Sequence, residues 1–222
     1  MPNYLWLEAG TNFGMTDDAD PTVHVIHSKR HLVTLLDQAH VSWKAYEEDI
    51  SGSDCPLRSA ALYAAKHNPF VYFANVQNST FYCSAHERPY GELAGDLRDH
   101  RAPRYVFITP NLCNDMHNTC SPIHDSIAQG DTWLKRSVPM ILGSKAYKHG
   151  GVLFITWDEG EGGDGPIGLI AMSPYTRKGY ASTRHYTHSS TLRTIEEIFD
   201  VRPLLGDAAH ASDLRSLFTT FP

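Results

Sequence analysis

Apolar side chains fall along this chain in two rhythms. In "SKRHLVTLLDQAH" (28–40), Leu32, Leu35, Leu36 and Ala39 recur at helical spacing. This predicts a helix with Ser28 as its N-cap, leading into a short strand at "VSWKAY". A second helix is predicted over "PYGELAGDLRDH" (89–100), with Pro89 at its start and Leu93 and Leu97 facing inward. The other rhythm is unbroken: "RYVFITP" (104–110), "GVLFITW" (151–157) and "IGLIAMS" (167–173) are near-continuous apolar runs. Such runs predict strands covered on both faces, and the helical periods across 130–147 and 188–199 predict an α/β sandwich. Between Glu47 and Arg88, Ser, Asn, Pro and aromatic residues replace any period, which predicts long loops with short helical pieces. A loop region of that length inside one domain, here taken as residues 1–222, usually has a task.

In open α/β sheets, reactive groups collect beyond the carboxyl ends of the strands. Three exits stand out on that rule. "YVFIT" runs into "PNLCNDMH", with Asn114, Asp115 and His117; "VLFIT" runs into "WDEGEGGDG", with Asp158 and Glu159; and the segment after "IGLIAMS" returns through "RHYTHSS", with His185 and His188. Carboxylates with neutral imidazoles form the donor set of a divalent ion such as Zn, Mn or Ca. A cation would also keep neighbouring carboxylates ionised together. Gly160, Gly162, Gly163 and Gly165 would let backbone approach a ligand closely. Taken singly, each residue has a second reading. Asp158–Glu159 suits a solvated turn, His188 a helix entrance capped by Ser189 or Ser190, Asp115 an Asx-turn, and His117 a surface position.

Composition narrows the partners. A formal charge of −6, with 19 Lys and Arg scattered along the chain, argues against nucleic acid. No apolar run reaches the roughly 20 residues of a membrane span, so stable insertion in a membrane is not expected. The opening "MPNYLWLEAG" lacks the features of a secretory leader. Of the four cysteines, Cys113 and Cys120 bracket "CNDMHNTC". A disulfide there would suit an exported protein, and reduced, partly buried thiols fit the count equally well.

The ordered segments "PNYL", "GTNFG", "SWKAYEE", "KHNPFVYF", "FITPNLCNDMH", "GDTWL", "FITWDEG", "HYTHSSTLRTIEEIF" and "LLGDAA" resemble the bacterial phosphoesterase family of acid phosphatases and phospholipase C enzymes, a branch of the alkaline phosphatase superfamily. The resemblance runs from Pro2 to Phe218. It implies a three-layer α/β/α fold and metal-assisted hydrolysis of a small-molecule or lipid phosphate ester, in a protein that is secreted or periplasmic at full length. It also implies that Asp115, His117, Asp158, Glu159 and His188 are metal ligands, and that His67, Asn68 and Asn114 lie near the phosphate. Lys44 is a weaker candidate. Relatives carry an upstream strand ending in a Glu-Asn pair and a hydroxyl nucleophile just before "PNYL", where this chain has Met1. The nucleophile is therefore expected upstream of Met1, and the chain as given is expected to be N-terminally truncated and without turnover. The rival expectation is a non-catalytic protein of this fold that keeps a metal or phosphate pocket.

Overall fold

A computed structural model describes residues 1–160 and 165–222. Gly162 and Gly163 of the glycine-rich loop lie outside the described residues. The chain forms two compact units. One comprises Met1, residues 18–29 and residues 41–145; the other comprises residues 2–17, 30–40 and 146–222.

The first unit is built on a parallel sheet. Its strands are β1 (Trp43–Glu47), β2 (Glu87–Pro89) and β3 (Tyr105–Thr109), in the order β2-β1-β3. β1 is central, and all its residues but Lys44 are buried. Two short helices, α3 (Ala74–Gln77) and α4 (Thr80–His86), and two 3-10 turns, Ala65–His67 and Phe70–Tyr72, fill the segment expected to be loop-rich. Aromatic contacts hold that segment: Trp43 stacks on His86 at 4.3 Å, and Phe70 meets Trp43 at 5.2 Å and the edge of Phe107 at 5.1 Å. The helix expected from Pro89 starts as a 3-10 turn, Tyr90–Glu92, and becomes α5 at Leu93–Arg98. Leu93 and Leu97 point inward as expected and form a core cluster with Tyr46. α6 (Ser126–Gly143) begins earlier than its apolar period indicates, because Asp125 accepts a hydrogen bond from the Ala128 amide and caps it.

The second unit joins α1 (Pro2–Ala9), α2 (Leu32–Gln38), most of α7 (Lys145–Lys148), β4 (Leu153–Thr156), β5 (Leu169–Met172) and α8 (His188–Ile198). Helix α2 starts four residues after the expected Ser28 cap. Its N-cap is His31, whose ring is enclosed and bonded to Glu8 of α1 at 2.9 Å. That anchor fixes where the helix can begin. The runs at 153–156 and 169–172 are strands, but they pair antiparallel, and Ile170 is 47% exposed. The expectation of strands covered on both faces is therefore corrected for this pair. A parallel pairing needs a long crossover, usually a helix, and the glycine-rich connection between β4 and β5 carries no apolar helical period. Helix α8 is closed by a capping box: the Thr187 side chain accepts from the Ser190 amide, and Ser190 Oγ accepts from the Thr187 amide. Thr187 takes the capping role expected of Ser189 or Ser190.

Two glycines allow α1 to end against the segment after α8. Gly10 and Gly206 both have positive φ, +65° and +43°, and the Asp207 amide donates to Gly10 O at 2.8 Å. A Cβ on Gly206 would sit 2.2 Å from Gly10 O. Both cysteine pairs are bonded, Cys55–Cys83 and Cys113–Cys120, which settles the alternative left open for the shorter loop. No helix among the described residues is long and apolar enough to cross a membrane.

Candidate functional site

In the first unit, the exit of β3 is a chain of Asx-type turns tied off by the Cys113–Cys120 bond. Asn111 Oδ1 accepts from the amides of Cys113 and Asn114, and Asp115 Oδ1 accepts from the His117 amide at 2.9 Å. The Asx-turn at Asp115 thus exists, but it occupies only one carboxylate oxygen. The other, Oδ2, meets His67 Nδ1 at 3.1 Å. The His117 ring lies 5.6 Å from that of His67, so the loop brings His67, Asp115 and His117 together. His67 is nearly enclosed at 6% exposure, which makes the Asp115 contact a low-dielectric one.

Beneath this loop lie three acids that strand-exit reasoning passed over. Glu48, just past β1, accepts from the Asn111 amide at 2.9 Å, the Asn114 side chain at 2.7 Å and Trp133 Nε1 at 2.8 Å. The amide of Asn114 is therefore committed to Glu48. The signal was present: "YEED" leaves β1 as "NDMH" leaves β3, and the same rule applied to both would have found it. Glu47 and Glu87 are fully buried on neighbouring strands. Burial first, then the nearby Glu87 carboxylate, pushes Glu47 well above the usual carboxylate range, against the Thr109 hydroxyl that donates to its Oε1 at 2.9 Å. Asn68 belongs to this interior cluster. It is fully enclosed, and its amide donates to Glu87 Oε2 at 2.7 Å and to the Tyr63 hydroxyl at 3.3 Å. Lys44 pairs with Asp96 at 2.6 Å, beside a second 2.6 Å bond from the Tyr46 hydroxyl.

In the second unit, His188 opens α8 and reaches the loop after β4. Its Nε2 donates to the Asp158 carbonyl at 2.7 Å, and its Nδ1 is buried with no hydrogen-bond partner among the described residues. Burial depresses the His188 pKa, outweighing the Asp158 carbonyl and the Asp158 charge, which favour the cation. The ring is thus held neutral, with one nitrogen oriented by a backbone carbonyl and a lone pair left on the other. That is the arrangement of a metal-ligating imidazole, whose remaining N–H is normally held by a carbonyl or carboxylate. An uncommitted lone pair in the interior otherwise costs about 1–3 kcal/mol. Glu159, next in the loop, accepts from the Asn3 side chain at 3.0 Å. The structure therefore brings Asp158, Glu159 and His188 to one loop–helix junction. Among the described residues no three His, Cys, Asp or Glu side chains are already arranged around a metal position. The expected site residues thus fall in two groups, His67 with Asp115 and His117 in one unit, and Asp158 with Glu159 and His188 in the other.

The chain is 28% identical over 220 residues to a phosphate-repressible acid phosphatase of Penicillium chrysogenum, covering 92% of the chain and 50% of that protein. It is 30% identical over 219 residues to a phosphatidylinositol-3-phosphatase of Mycobacterium tuberculosis, covering 98% of the chain and 67% of that protein. A phospholipase C A of the same organism is 24% identical, with 90% of the chain and 46% of that protein covered. The chain spans about half the length of several curated relatives it matches. The Phosphoesterase family matches residues 1–202, and the chain belongs to that family.

Proposed function

We propose that this protein hydrolyses phosphate esters with the help of a divalent metal ion. The observation that carries the reading is His188, a neutral imidazole whose buried Nδ1 lacks a partner while its Nε2 is fixed by the Asp158 carbonyl. The donor chemistry fits a metal. His188 through Nδ1, with Asp158 and Glu159, supplies one nitrogen and hard oxygen donors, and Asp115 with His117 supplies a second set of the same type. A bound ion would supply Lewis-acid polarisation of the phosphoryl group. The chain's own groups position the reactants: Asp115 holds the His67 ring in one orientation, so that it can donate to a phosphate oxygen, and the Asp158 carbonyl holds His188 in a single tautomer.

The related acid phosphatases, phosphatidylinositol-3-phosphatase and phospholipase C support a phosphate ester as substrate, and two disulfides support work in an oxidising compartment. The test is hydrolysis of a chromogenic phosphate ester by the protein purified from its natural source, before and after chelation. Turnover that a chelator abolishes and one divalent ion restores supports the reading. A metal-loaded, folded protein that cleaves no phosphate ester overturns it.

A further inference from the structure

Within the second unit, an open cleft of about 440 Å³ is lined by three arginines, Arg177, Arg184 and Arg215, with Asp213 and the rings of Phe218 and Phe221. Its charges are unequally matched. Arg215 is neutralised, its Nε 3.4 Å from Asp213 and its Nη2 3.3 Å from Glu197, and its guanidinium lies 3.8 Å from the centre of the Phe221 ring. Arg177 is fixed by neutral groups: Nε donates to Phe218 O at 3.1 Å, and the guanidinium faces the Tyr180 ring at 5.5 Å. Neither Arg177 nor the exposed Arg184 has a carboxylate partner among the described residues. Two uncompensated guanidinium groups thus share one cleft on a chain whose formal charge is −6. Like charges repel, and an acidic chain has carboxylates at hand to pair them. Guanidinium forks match the oxygens of a phosphate, which accepts two parallel hydrogen bonds from each.

We infer that the Arg177–Arg184 cleft is an anion site for a phosphate group, either free or at the head of a lipid. Arg177, held by Phe218 O, and the Phe221 ring beneath Arg215 line the cleft, and Arg184, on the exposed segment before α8, offers the second guanidinium fork. The inference does not depend on hydrolysis or on a metal. Inorganic phosphate is therefore titrated calorimetrically into the protein in excess chelator at constant ionic strength. Saturable binding is expected, weakened about 10-fold by Arg184→Gln and less by Arg184→Lys, which keeps the charge and loses the fork. His188→Ala should leave it unchanged. A parallel arm measures co-sedimentation with phosphatidylcholine vesicles with and without phosphatidic acid. Binding to the phosphatidic acid vesicles that needs Arg184 identifies a lipid headgroup, and binding confined to inorganic phosphate identifies the free ion. The inference is overturned if neither probe binds, if Arg184→Gln binds as the parent does while melting as cooperatively, or if His188→Ala removes the binding instead. Loss of hydrolysis with phosphate binding intact would count against the proposed activity and leave this site standing.

Discussion

Replacing Glu196 by glutamine should stabilise the protein at neutral and alkaline pH and do almost nothing in acid. Glu196 lies on the inner face of α8, fully buried, with Oε1 accepting from the Leu205 amide at 2.8 Å and Oε2 lacking a partner among the described residues. Burial raises its pKa from the usual 4.5 to about 7, against the lowering effects of the Leu205 amide and the charges of Arg193 and Arg202. Between those values the unfolded chain releases the proton while the folded chain keeps it. The stabilising contribution of the protonated form is therefore complete below about pH 4.5 and is lost as the pH climbs to about 7. At about 1.36 kcal/mol per unit the shift corresponds to at most ~3.4 kcal/mol, which relaxation of the surroundings about the ionised carboxylate reduces to about 1–2 kcal/mol. Glutamine keeps an acceptor for the Leu205 amide and carries no charge to bury. Urea unfolding of both proteins from about pH 4 to about pH 8 should show midpoints that coincide in acid and separate by that amount above neutrality. A difference that is flat in pH, or that grows toward acid, refutes the argument.

Four further outcomes follow from the same structure. His188→Ala should abolish detectable binding of the activating ion by calorimetry, and it should cost about 0.5–1.5 kcal/mol in urea, since it also removes the Nε2 bond to the Asp158 carbonyl. Trp133→Phe should cost about 1–3 kcal/mol in chemical denaturation, because it strips Glu48 of an indole donor at 2.8 Å. Gly206→Ala should cost more than the ~1 kcal/mol of a strained φ alone, since its Cβ would meet Gly10 O at 2.2 Å; a melting temperature within error of the parent's would refute this. Chain entropy makes the Cys55–Cys83 bond, spanning 28 residues, worth about 3.6 kcal/mol and the Cys113–Cys120 bond, spanning 7, about 2.4 kcal/mol. Paired cysteine-to-alanine variants should rank in that order in urea.

What could be read from the sequence was what local period and strand-exit position encode. β1, β3, β4 and α8 fall where unbroken apolar runs and a helical period put them, and the exits of β3 and β4 carry the acids and histidines singled out beforehand. What could not be read depends on contacts distant in sequence. The start of α2 is set by Glu8, 23 residues away from His31, and no local cap signal reports that. Helix α1 has apolar residues without a clean period, and its inward residues include the acidic Glu8, so no local pattern announces it. The antiparallel pairing of β4 with β5 and the exposure of Ile170 are not legible in the sequence, because an apolar run does not reveal strand direction or which face stays wet. His67 could be named from its motif, but its partnership with Asp115 spans 48 residues and becomes visible only in the fold.

The buried and half-buried acids divide by the partners the fold gives them, and this division bears on which can serve a cation. Glu8 and Glu47 lie in the core, where burial raises both pKa values and favours the protonated form. A protonated carboxyl is a poor metal donor, and ionising it there would require a cation to reach the interior of a packed sheet or helix pair. Glu48 is held by three donors from the β3 exit and α6, so its oxygens already orient the Asn111–Asn114 turn. Displacing those bonds would disorganise the loop that presents Asp115. Asp115, Asp158 and Glu159 remain, each on a loop at a strand exit. One oxygen of Asp115 serves the turn while the other faces a histidine, and Glu159 has a single bond to Asn3. Asp115 is thus oriented by its turn and by His67, and Glu159 by one bond to Asn3, so a cation at either loop would exchange few existing bonds, whereas one at Glu47 or Glu48 would have to break the packing or the turn those acids hold.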